Sequence, residues 1–250
     1  MDASWIGPLG LGLILELATF GALFQRLQNT SVTLPWEDRY QVLVDVATGV
    51  QALHENFPPI IHSDLKSHNV LLFDAGDGQT VAKLADFGLA DTAHNTASMI
   101  TKTGLGTMNW SAPEVFDDHY KQKTASDVWS FGMIVYEVAS RKIPYSGLSQ
   151  QQLFKVLNMN TKLPNFDLLE SGTPDNIKEL IELVGRVEPS DRPTAAEVLK
   201  VVLSAQKTYH EGRGEPLPSS VRSQRHQAKL VELSDELRGL AREARVRAVR

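Results

Sequence analysis

Between Pro35 and Asn56 the chain carries an apolar face too wide for a surface helix, and this segment constrains everything around it. Trp36, Tyr40, Leu43, Ala47, Val50 and His54 recur at i, i+4, i+7, i+11, i+14 and i+18, one face of a helix. Val42, Val46 and Leu53 widen that face until it nearly encircles the axis, which predicts a central, deeply buried element. Gly49 lies inside the pattern, where Gly costs about 1 kcal/mol relative to Ala, so a close packing contact is expected there. Such a helix needs partners on several sides, and the sequence supplies them. Val70–Phe73 and Val81–Ala85 flank Asp-Ala-Gly-Asp-Gly-Gln, a hairpin signature. From Ser126 onward the patterns are helical, over Asp127–Ser140, Gln150–Leu157, Pro174–Val184 and Thr194–Gln206. Thr173-Pro174 and Arg192-Pro193 give two of these proline starts. No repeat of solenoid period is present.

The 250 residues suffice for one large domain or two small ones. With 42% hydrophobic and 22% charged residues the chain reads as an ordinary globular protein. A net charge of −5 argues against a nucleic-acid partner. The absence of Cys removes disulfides, thiolate metal sites and a Cys nucleophile, and fits a cytoplasmic location. Trp5 to Phe24 is nearly continuous apolar sequence with Glu16 as its only charge. A membrane span or signal peptide is disfavoured by the lack of a preceding Lys or Arg and by the glycines and Pro8 within the run. Glu16 would itself cost about 3 kcal/mol at a bilayer centre. The run reads instead as a buried strand, Leu11–Leu15, followed by a connector.

Chemistry is concentrated in the irregular stretch after the long helix. It runs Ile60-Ile61-His62-Ser63-Asp64-Leu65-Lys66-Ser67-His68-Asn69, then Asp86-Phe87-Gly88 after the hairpin, then Ala112-Pro113-Glu114. Each piece alone is weak: an isolated Asp-Phe-Gly is most simply a turn, and Asp64 with Asn69 could form a loop-stabilising Asx turn. Their order and spacing, continued by Ser126-Asp127-Val128-Trp129-Ser130-Phe131-Gly132 and Arg192-Pro193, resemble the eukaryotic protein kinase catalytic domain from about Leu11 to Gln206. The resemblance implies an α+β protein kinase-like fold, here its mostly helical C-terminal lobe with the N-terminal lobe largely absent. It also implies transfer of the γ-phosphoryl group of ATP to a protein Ser or Thr, with Mg²⁺ as metal cofactor.

Residue by residue, the resemblance makes Asp64 the group that orients the acceptor hydroxyl and takes its proton. Lys66 would balance charge on the moving phosphoryl, and Asn69 and Asp86 would be the metal ligands, their hard oxygens suiting Mg²⁺. Leu13 to Leu23 is similar to the last N-lobe strand and the interlobe hinge, so Leu15 would be the gatekeeper. Glu16, Ala18 and Leu71 would join it around the adenine. His62 resembles the core histidine packed beneath Phe87, and the other histidines, which lack ligand spacing, are expected to be inert. Asp127 would hold the catalytic-loop backbone, and Glu114 with Arg192 would form an internal ion pair. Asp-Leu-Lys at Asp64–Lys66 and Thr107 point to Ser/Thr specificity, and Trp110 before Ala112 to the tyrosine-kinase-like group, which includes mixed-lineage and receptor-interacting kinases.

Two departures qualify this. Ser63 stands where the family usually has an Arg that pairs with a phosphorylated activation segment, so weak phosphoregulation is expected. The Gly-rich loop, strand Lys and helix Glu of the family do not occur among these residues, so the chain alone is expected to have weak or no activity, and a non-catalytic kinase-like interaction module is the alternative reading. The organisation expected is a strand-and-hinge remnant at 1–18, the C-lobe at 19–206, a linker at 207–219 and a basic tail at 220–250. Over 221–250 eight Lys or Arg meet four Asp or Glu, with heptad-like Leu230, Leu233, Leu237, Leu240 and Ala244. That helix could dock on the lobe or join a partner or a second copy. The expected partners are therefore a Ser/Thr-bearing protein substrate and a tail ligand, with no membrane span.

Overall fold

The long apolar helix forms as α2, Trp36–His54, started by Pro35 in extended conformation. The computed structural model describes residues 16–76, 79–86, 108–117, 120, 123–158 and 162–214 with their side chains, and backbone strands at Asp2–Trp5, Leu11–Ile14 and Asp91–Thr92. Tyr40, Leu43, Val46, Ala47 and Val50 are buried in one core with the helices at Thr124–Ser140 and Ala195–Arg213. A Cβ on Gly49 would lie 2.9 Å from Leu84 Cδ1, so the glycine is what lets α2 approach the hairpin. The buried Asp45 carboxylate fastens the same contact, accepting the Ala82 N–H at 2.9 Å and Gln41 Nε2 at 2.8 Å.

Among the described residues, three antiparallel pairs of strands accompany the helices. The strand expected at Leu11–Leu15 appears as β2, Leu11–Ile14, and it pairs with β1, Asp2–Trp5, which sequence reading missed. That pairing gives the strand a partner, and two short runs around Gly7-Pro8-Leu9-Gly10 are the sequence signal that could have found it. β3, Ile60–Ile61, pairs with β6, Asp91–Thr92, and the expected hairpin is β4, Val70–Asp74, with β5, Thr80–Leu84. The connector ends in an unforeseen helix, α1, Leu23–Gln28, whose Leu23 and Leu27 are fully buried. Just before it, the Phe20 N–H donates to Leu72 O and the Leu72 N–H to Gly21 O, stitching the connector onto β4.

α3, Thr124–Ser140, is buried from Ser126 to Ser140 and forms the axis of the helical half. α5, Asp175–Val184, lies against it so closely that a Cβ on Gly132 would be 2.5 Å from Val184 Cγ2. Arg141, in left-handed conformation at the end of α3, donates to the carbonyls of Leu27, Val32, Arg26 and Asn29. α4 spans Gln150–Met159 and α6 spans Ala195–Arg213. The linker expected from residue 207 is thus corrected: the helix continues to Arg213 and stops at Gly214, φ 69°. Tertiary contact extends it, since the Tyr209 ring lies 5.2 Å from that of Tyr40, its hydroxyl donates to Glu37, and His210 is buried. The tail at 220–250 lies outside the described residues, as do Leu15, Phe87, Gly88 and Thr107. No helix among the described residues is long and apolar enough to cross a membrane.

Candidate active site

The loop between β3 and β4 is anchored from beneath by Asp127, on the first turn of α3 and 1% exposed. Its carboxylate accepts the N–H groups of His62 at 2.8 Å and Ser63 at 3.1 Å, and Nε2 of His54 at 2.8 Å. These bonds hold Ser63 at φ 71°, a left-handed conformation that a non-glycine residue adopts only when its surroundings impose it. The His62 ring, fully buried, accepts the Asp64 N–H at Nδ1 and donates from Nε2 to Ala85 O at 3.2 Å. Since the Ala85 N–H also donates to Asn69 O at 2.8 Å, Asp86 is held next to this loop.

Above the anchor, Lys66 Nζ lies 3.0 and 2.8 Å from the two carboxylate oxygens of Asp64. A short 3₁₀ turn, Ser67–Asn69, then points Asn69 back at the same carboxylate. Asn69 Nδ2 donates to Asp64 O at 2.8 Å and to Asp64 Oδ2 at 3.1 Å. Pinning the amide nitrogen leaves Oδ1 as the donor atom turned away from Asp64. Asp86 follows Ala85 at φ 61°. An amide oxygen and a carboxylate make a hard donor set of the kind Mg²⁺ takes, with its remaining positions given to water and phosphate. No group of three or more His, Cys, Asp or Glu that could hold a metal ion occurs among the described residues. The other candidate residues lie across β4: Leu71 is half-buried and bridged to Ala22, Ala18 is half-buried, and the exposed Glu16 pairs with Lys83 at 2.6 Å.

Residues 8–203 match the family model described as the protein kinase domain. The chain belongs to the protein kinase domain family. Among curated proteins it is 30% identical over 213 residues to the "Probable serine/threonine-protein kinase drkD" of Dictyostelium discoideum, covering 82% of this chain and 16% of that protein. It is 34% identical over 194 residues to drkA of the same organism, covering 77% and 28% respectively. To mouse "Mitogen-activated protein kinase kinase kinase 10" it is 35% identical over 201 residues, covering 78% and 20%. The chain therefore spans well under a third of these relatives.

Within this kinase domain, Glu114 and Arg192 form the ion pair expected from sequence, with Nη1–Oε1 at 2.6 Å and Nη2–Oε2 at 2.7 Å. The remaining Arg192 donors go to Arg186 O, Ala125 O and Val187 O, so the buried guanidinium is fully hydrogen-bonded. Three groups escaped sequence reading. His54, expected to be inert, holds Asp127; its place on the apolar face of α2 was the available signal. His68 is not inert either: it stacks on Phe24, with ring centroids 3.8 Å apart, and meets Trp110 edge-on at 5.5 Å. Burial lowers its pKa, Lys66 adds to the effect, and Asp64 opposes it. Glu137, fully buried on α3, accepts Trp110 Nε1–H at 3.0 Å, while its Oε1 has no partner of hydrogen-bonding geometry among the described residues. Burial pushes its carboxyl up to about 7 against the opposing pull of Ser67 and Trp110.

Proposed function

We propose that the protein carrying this lobe is a Ser/Thr protein kinase, with residues 19–206 as the C-lobe and Asp64 as the residue that receives the acceptor. The observation that carries this reading is the Asp64 carboxylate, gripped by Lys66 and Asn69 on a loop that Asp127 holds from below. The acceptor hydroxyl oxygen attacks the γ-phosphorus of ATP, the bond to the ADP oxygen breaks, and the hydroxyl proton passes to Asp64. Catalysis of this transfer is mostly positioning and charge neutralisation. Lys66 supplies a cation beside the γ-phosphoryl. Asn69 and Asp86 would hold Mg²⁺, which when bound neutralises phosphate charge, and Glu16, Ala18 and Leu71 would line the adenine side. Serine or threonine as acceptor is supported by Lys66 in Asp-Leu-Lys and by the Ser/Thr kinases among the relatives. Trp110 and the resemblance to a mitogen-activated protein kinase kinase kinase support placement in the tyrosine-kinase-like group.

In the full-length protein, Asp64→Asn should lower phosphate transfer to a protein acceptor at least about a hundredfold, the lower range for loss of a general base. Nucleotide affinity should stay near wild type, whereas Asp86→Asn should weaken the Mg²⁺-dependent part of it. Radiolabel transfer and nucleotide titration with and without Mg²⁺ measure the two effects. Wild-type turnover in the Asp64 variant would show that the lobe is not used catalytically and would leave a binding role.

A further inference from the structure

The end of α6, the start of α2 and the start of α5 meet at one corner, and the described residues end there, at Gly214. Tyr209 on α6 donates to Glu37 on α2, and Arg213 reaches the same carboxylate at 3.5 Å. Tyr40 on α2 donates to Asn176 Oδ1 on α5 at 2.7 Å, and Asn176 donates back to Ala205 O on α6. From this corner α5 runs with Ile177, Leu180, Ile181 and Val184 buried. Asp175, Glu179 and Glu182 are exposed at i, i+4 and i+7, on one outer face of the helix. Lys178 pairs with Asp175 at 3.0 Å, but among the described residues no cation pairs with Glu179 or Glu182. Half-buried Leu183 borders this face, and Val187, 55% exposed, follows just past the helix.

We propose that this outer face of α5 is the docking surface for the segment 237–250 of the same chain, which lies along it as a parallel helix. Arg238, Arg242 and Arg245 recur at i, i+4 and i+7, the spacing of Asp175, Glu179 and Glu182. Two parallel helices side by side therefore present these charges in register. Leu237, Leu240, Ala241 and Ala244 form an apolar stripe beside the three Arg, which gives Leu183 and Val187 a cover. Net charge points the same way: the whole chain carries −5 and residues 221–250 carry +4, so residues 1–220 carry −9. The segment itself holds five Arg against one Glu, and the field of the rest of the chain attracts it. The inference is independent of phosphoryl transfer.

Reach favours this occupant over a separate partner. Gly214 and Arg238 are 24 residues apart, and a flexible stretch of that length spans roughly 25–30 Å. The ten residues of α5 measure about 15 Å and begin at the corner where α6 ends. Exposed ion pairs are individually weak, but a tether presents the segment at an effective concentration of about a millimolar. Fourteen residues that include Gly239 are too few to hold a helix in water unaided. The face of α5 supplies the tertiary support that such a helix needs.

The test uses the whole 250-residue chain, whose lack of Cys lets two introduced thiols carry nitroxide labels, at Ser190→Cys beyond α5 and at Val249→Cys. Pulsed electron resonance between the labels should show a narrow, short-distance component for the docked segment and a broad one for the free segment. Glu179→Lys with Glu182→Lys, two exposed positions, should lower the ratio of narrow to broad at least tenfold. Adding Arg242→Glu and Arg245→Glu should restore it. Salt at about 1 M, where the screening length falls to about 3 Å, should lower the ratio in the unreversed chain, a readout that needs no charge variant to fold. A broad distribution alone, a ratio unmoved by charge reversal and salt, or a charge swap that restores nothing would each overturn the proposal. So would a narrow component that disappears when labelled chain is mixed with excess unlabelled chain, because the occupant would then be a second copy. A broad distribution in a chain that sediments with phosphatidylserine vesicles would assign the Arg stripe to a lipid surface instead.

Discussion

Glu137→Gln should make the protein more stable above neutral pH. The carboxyl is fully buried on α3, and desolvation raises its pKa from 4.5 to about 7. Between those values the folded chain holds a proton that the unfolded chain has released. The stability tied to this group is therefore complete below about pH 4.5 and is lost as pH rises through about 7. At about 1.4 kcal/mol per pH unit the full loss is about 3 kcal/mol. Glutamine keeps the shape and an oxygen that accepts the Trp110 Nε1–H, but has no proton to lose. The variant should match wild type to within about 1 kcal/mol at about pH 5 and exceed it by about 3 kcal/mol at about pH 8. For a chain of this size that corresponds to a midpoint higher by about 6–12 °C. Urea unfolding of both chains at the two pH values gives the comparison directly, because every other titrating group shifts both alike. A variant less stable at both pH values would show that the carboxylate is held by bonding that outweighs its desolvation. A difference independent of pH would show that Glu137 does not titrate in this window.

Arg192→Leu should cost about 3–5 kcal/mol by leaving the Glu114 carboxylate, only 10% exposed, without its ion-pair partner. Replacing Glu114 and Arg192 together by apolar residues should restore part of that loss in the same unfolding assay. Gly132→Ala should cost about 1–3 kcal/mol, since its Cβ would stand 2.5 Å from Val184 Cγ2. Adding Val184→Ala removes that methyl, so a double-mutant cycle should show favourable coupling between the two sites. Strict additivity would place the strain elsewhere.

The sequence alone determined the elements whose residues carry their own periodicity or turn chemistry. The face from Trp36 to His54 fixed α2, Gly49 announced a close packing contact whose partner, Leu84, only the structure identifies, and Asp-Ala-Gly-Asp-Gly-Gln fixed the β4–β5 hairpin. Asp64, Lys66 and Asn69 were legible only through their resemblance to the protein kinase catalytic loop, and the structure brings their three side chains together. What the tertiary structure decided are the contacts between residues far apart in sequence, which leave no period to read. Only packing places His54 against Asp127, Trp110 against Glu137, and Phe24 on His68. Helix α1 is too short to show a face of its own, and it forms where the connector meets β4. The last turns of α6 look like linker by composition, with Gly212 among them. They remain helical because Tyr209 and His210 are buried against the rest of the protein, and tertiary burial outweighs weak local propensity.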